Sequence, residues 1–198
     1  MAGMVQIWNM ALGWVGTRGV AAAHENTQEA IQCRLFWDSA RRQVLRDYPW
    51  NFAQRRGWLA GVPMPEGWER EYRHAYALPE NCLKAWRLLD GRKETRFVLC
   101  FDPARGGRAL LSNAAPALLC YTADMTDISL ADDLFAQLLA RRLATLIAVP
   151  LLKNNAQKVQ ELEQLYRAAI PNAVEADAGE GREEEKPDAW IAARGGCQ

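Results

Sequence analysis

Near both ends of the chain, apolar residues recur every three or four positions. Across the middle they alternate or fall in short runs between turn residues. The first pattern is that of one face of a helix and the second that of half-buried strands, so the order reads helical, then β, then helical. Val5, Trp8, Leu12 and Val15 predict a short first helix that gives way to the glycine-studded Gly13 to Gly19 loop. A long second helix follows. Asn26 with Glu29 three residues on is a start signal, the asparagine capping the Glu29 amide while Glu29 reaches back. Its stripe is Ala30, Cys33, Trp37, Ala40, Val44 and Tyr48. Pro49 ends it, since the ring has no amide hydrogen and forces Tyr48 out of the helical region. Trp50 and Phe52 then form two large anchors, expected to point the same way along an extended segment.

From Tyr72 to Leu78 the residues Tyr72, His74, Tyr76 and Leu78 alternate with Glu71, Arg73 and Ala75, which predicts a strand. Further strands are expected over 83–89, 96–101, 108–112 and 117–122. Asp90-Gly91, Asp102-Pro103 with Gly106-Gly107, and Asn113 to Pro116 form the turns between them. Helical spacing returns after Ser129, a cap candidate with Asp132 three residues later. The stripe Leu134, Phe135, Leu138, Leu139, Leu143, Leu146 and Ile147 is wide enough to be covered on more than one side. Pro150 breaks or kinks this helix. A last one carries Val159, Leu162, Leu165, Tyr166 and Ala169, and Pro171 is expected to close it. The expected fold is mainly α with a β insert, an α+β class. A helical bundle comes from 1–51 and 126–172, an antiparallel β module from 52–125, and an acidic flexible arm from 173–198.

Charge sharpens the last of these. The whole chain has 24 basic and 24 acidic residues. After Asn172 there are seven acids against three bases, 3 − 7 = −4, so the body carries +4. An acidic arm on a mildly basic body is implied, and so even a balance argues against a dedicated nucleic-acid binder. The arm is too poor in apolar residues to fold alone, save for Ala189-Trp190-Ile191. Trp190 is therefore expected to find a pocket in trans, in a neighbouring subunit or a partner, with Arg194 beside it. Eight tryptophans in 198 residues also favour a protein that makes interfaces. Five cysteines without a C-x-x-C pair fit reduced, buried thiols. The apolar run in the late helix is broken by Arg141-Arg142, so no membrane span is expected.

The run Ala40 to Ala53, with Tyr48-Pro49-Trp50-Asn51-Phe52-Ala53 at its core, then Arg55-Arg56-Gly57-Trp58-Leu59-Ala60, resembles the tail tubular protein A family. These are head-tail adaptor, or gatekeeper, proteins of short-tailed bacteriophages. The resemblance extends to Ala11-Leu12-Gly13-Trp14-Val15-Gly16 with Glu25, to Tyr76-Ala77-Leu78-Pro79-Glu80-Asn81-Cys82-Leu83, and to the helix over 134–148. It implies a structural virion protein, in a homo-oligomeric ring that is dodecameric as a rule. Portal protein lies on one side and tail nozzle protein on the other, with DNA passing through the channel and retained without sequence-specific binding. The implied location is the head-tail junction of the virion, after assembly in the host cytoplasm.

Candidate chemistry agrees with a non-enzymatic reading, with no catalytic, cofactor or metal residues assigned. His24 and His74 lack a second ligand at metal spacing. No nucleophile elbow is present, Gly13-x-x-Gly16-x-x-Gly19 follows no strand, and Arg105-Gly106-Gly107-Arg108 reads as a turn. The best carboxylates for a rival reading, a tail-associated hydrolase, are Asp132 and Asp133, which equally fit the first turn of a helix. A further rival is an intracellular protein-binding module. Three arginine pairs stand out, and Arg41, Arg42, Arg55 and Arg56 are assigned to interfaces because a guanidinium fork holds carboxylate or phosphate bidentately. Arg141 and Arg142 read as a solvated face. Trp50, Phe52 and Trp58 are expected in the joint between bundle and β module.

Overall fold

A computed structural model describes residues 3–153 and 155–180. Among them are four helices and two four-stranded antiparallel sheets, an α+β fold. Helix α1 (Met4–Val15) ends in a Gly16 at φ 86°, where the Gly16 and Thr17 amides both return to the Leu12 carbonyl. That left-handed turn is inexpensive only for glycine. Helix α2 (Gln28–Asp47) begins one residue later than the sequence signal: Thr27 is the cap, its hydroxyl accepting from the Ala30 amide at 3.3 Å. Glu25 instead accepts from the Ala22 amide at 2.8 Å and shapes the preceding loop. Tyr48 is extended (φ −145°, ψ 151°), as the proline behind it demands.

The first sheet has the order β1-β8-β4-β5, built from β1 (Gln54–Trp58), β8 (Leu118–Ala123), β4 (Cys82–Asp90) and β5 (Lys93–Thr95). The second has the order β2-β3-β7-β6, from β2 (Gly61–Val62), β3 (His74–Ala77), β7 (Gly107–Ser112) and β6 (Phe97–Asp102). The strands expected from the sequence are all present. Missing from that reading were β1, β2 and β5, which are short or polar and owe their extension to pairing. Between the sheets lies a core of Tyr76, Leu110, Cys82, Leu88, Leu119 and Tyr121.

Helix α3 (Asp133–Leu151) starts at Asp132, whose carboxylate accepts from the Phe135 amide at 2.6 Å, rather than at Ser129. It packs against α1, α2 and α4 at once, with Phe135, Leu138, Leu139, Leu143 and Ile147 fully buried, whereas Leu134 is exposed. Among the described residues it is the helix long and apolar enough to cross a membrane, and its apolar surface lines the bundle core. Pro150 sits in its last turn without ending it early.

Helix α4 (Ala156–Glu180) corrects the expected boundary between bundle and arm. Pro171 does not close it. The proline costs a single backbone bond, but Ala173 and Asp177 beyond it are buried, so packing carries the helix on for a further nine residues, 172–180. Residues 173–180 thus belong to the bundle rather than to a flexible arm. The remainder of the expected arm lies outside the described residues.

Candidate functional site

The segment from Tyr48 to Ala53 is a joint rather than an extended strip. Trp50 is 1% exposed. Its indole Nε1 donates to the Val44 carbonyl at 2.8 Å, and the ring meets Tyr48 and Phe135 edge-on, both at 5.2 Å. The Ala53 and Gln54 amides both return to the Trp50 carbonyl, at 3.0 and 2.8 Å, which coils the chain into a turn. Phe52 thereby swings onto Phe135 as well, at 4.8 Å between centroids. Asn51 reaches α4: its amide donates to the Asp177 carboxylate at 3.0 Å and its side-chain nitrogen to the Asp177 carbonyl at 2.5 Å. The Ala53 carbonyl accepts from the Ala123 amide at 2.9 Å, at the end of β8. Six consecutive residues thus connect α2, α3, α4 and the first sheet.

The Arg41-Arg42 pair serves the same joint. Arg41 is 1% exposed, so its expected role at an external interface is overturned. Its guanidinium donates to Asp124 and to the Met125 carbonyl, both at 2.5 Å, and to Asp38 at 3.2 Å. A charge so deeply placed is tolerable because each donor but Nε is paired. Arg42 shares the Asp124 carboxylate at 2.9 Å while staying more than half exposed. Lys84 of β4 closes the other side, donating to the Arg46 carbonyl in the last turn of α2 at 2.7 Å. Its ammonium lies over the Trp86 ring, and burial, then Arg46, lowers its pKa against the opposing pull of Asp47.

Arg55 and Arg56 are both exposed on β1. Adjacent strand residues face opposite ways, so the two do not form one basic patch. Arg55 bends back to the Phe52 and Gln54 carbonyls, whereas Arg56 has no partner among the described residues. Two positions beyond it, on the same face, Trp58 is 63% exposed and not in the joint as expected. On the outer strand of the second sheet, Phe101 is 66% exposed and Leu99 partly so. Each sheet therefore ends in a strand that presents unpaired backbone groups beside bare apolar side chains, an arrangement suited to contact with another surface.

Arg141 and Arg142 are not a simple solvated face. Arg142 donates to Gln43 at 2.6 Å and to Glu163 at 2.9 Å, and lies over the Tyr166 ring. The Tyr166 hydroxyl donates to Asp47, and burial first, then that bond, pushes its pKa well up. Arg141 rests over the Trp14 ring. Trp190 and Arg194 lie outside the described residues.

The four described cysteines are unpaired, and burial first, then Glu29, pushes the Cys33 thiol up to about 12. His24 is exposed and His74 lies beside Tyr76 in β3. Among the described residues no cluster of three His, Cys, Asp or Glu could hold a metal. Asp132 is occupied as a helix cap. No protein-family model matches the chain, and no curated protein matches it as a relative.

Proposed function

We propose that the chain is a structural head-tail adaptor, forming a homo-oligomeric ring between a phage portal and the tail nozzle. The observation that carries this reading is the role of the residues on which the resemblance rests. Tyr48 to Ala53 and Arg41-Arg42 tie a helix bundle to a pair of sheets through hydrogen bonds and ion pairs. An adaptor needs such a connection, because contacts made at one end must hold those at the other in register. The exposed Trp58, Phe101 and Leu35 lie on separate elements, β1, β6 and α2, which supports contact on several sides.

The test is electron microscopy of the purified protein mixed with the portal of the same phage. Rings on the portal's tail-facing end are expected. Portal particles that stay bare at saturating protein would overturn the reading. DNA, on this proposal, passes through without base-specific contacts, so binding to duplex fragments should be weak and independent of sequence.

A further inference from the structure

Between the end of α3 and the start of α4 runs an open groove of about 580 Å³, lined by Thr145, Val149, Ala156, Val159, Gln160 and Glu163 among others. Its floor is apolar, and Val149 is 43% exposed there although every neighbouring apolar residue of α3 from Leu143 to Ala148 is at least partly buried. The charged residues of its lining, Arg167 and Glu163, are ion-paired with each other at 3.0 Å. The groove thus combines an apolar floor with a charge-balanced rim.

The chain itself contains a complementary ligand. Beyond Glu180 the only aromatic residue is Trp190, flanked by Ala189 and Ile191 and preceded by Glu183-Glu184-Glu185. We infer that this groove receives the Ala189-Trp190-Ile191 segment of a second copy of the chain. Indole and isoleucine would cover Val149 and Val159.

Reach favours a neighbour's groove over the chain's own. The groove centre, at Val159 and Gln160, lies twenty residues before Glu180 on α4. At 1.5 Å per residue that is about 30 Å. Ten steps from Glu180 to Trp190 span at most about 33 to 36 Å when fully drawn out. A return in cis would need almost the full extended length of that stretch, laid back along α4. The groove of an adjacent copy carries no such restriction. A tail of one copy in the groove of the next is a head-to-tail contact, which closes into a ring where the rotation permits. This inference concerns only contacts between copies and does not rest on what else the protein binds.

A fluorescent peptide of residues 181–198, titrated into the full-length Trp190→Ala chain, should bind saturably by anisotropy. Affinity should fall at least about tenfold when Val149→Glu is added, and likewise with Ala156→Glu, which puts an acid where the first turn of α4 tolerates it. Light scattering of the unaltered chain, over the concentrations at which the peptide binds, should show mass rising above the monomer, and Trp190→Ala should abolish the rise. Absence of peptide binding, or binding indifferent to both groove variants, overturns the inference. A chain that stays monomeric while the peptide binds its groove overturns it too, since the tail then occupies its own groove.

Discussion

Trp50 fixes the joint through both shape and a hydrogen bond. Trp50→Ala should cost about 3 to 5 kcal/mol, read as a lower melting temperature, since it leaves a cavity against Phe135 and strands the Val44 carbonyl. The arginine pair offers a sharper contrast. Arg41→Leu removes three charge-assisted bonds made by a buried guanidinium and should destabilise by about 2 to 3 kcal/mol. Arg42→Ala breaks a more exposed bond to the same carboxylate and should cost less than about 1 kcal/mol. Equal losses would mean that burial is not what distinguishes the two. Cys33 gives a pH signature. Its folded pKa is raised, from 9.0 to about 12, so the folded state holds its proton more tightly than the unfolded chain. Stability from this group is fully present below about pH 9 and is lost as pH rises towards 12. Melting temperature should fall across that alkaline window, and Cys33→Ala should flatten the fall.

At the level of elements, α4 is the informative one. Its first part packs on α3, but the turns after Pro171 are held by Ala173, Val174 and the Asp177 bonds to Asn51. Truncation after Asn172 should therefore lower the melting temperature further than truncation after Glu180, because the Asn51 amide loses its acceptor in a partly buried site, about 1 to 3 kcal/mol for that loss alone. Matching melts for the two truncations would show that 173–180 contributes nothing to the bundle. The strands illustrate a different dependence. All but the first residues of β7 and β8 are largely buried, a consequence of covering on both faces, while β1 reads Gln-Arg-Arg-Gly-Trp and has no apolar alternation to reveal it.

On the scale of the molecule, two cores are joined by one short segment and a charged clasp. The proposed adaptor role needs this joint intact while the outer surfaces change partners. In solution the purified chain should be monomeric or weakly self-associating, and should assemble fully only on a portal template. Light scattering with and without portal measures this, and a tight dimer that ignores portal would be the contrary result.

The stop of α2 and the turns between strands were determined by the sequence alone, because they depend on local covalent chemistry. Pro49 has no amide hydrogen, and the Asp102 to Gly107 turn has its glycine, Gly106, at φ 64°. The β insert between helical ends was equally legible from the change in period. Long-range pairing decided the rest. Nothing near Arg41 in the chain announces that Asp124 and Met125, over eighty residues away, will bury it. Nor does anything beside Trp58 say that its strand will lie at a sheet edge and leave it bare. Pro171 marks the same boundary from the other side: a local stop signal worth one backbone bond was outweighed by burial and by Asn51 of a distant turn.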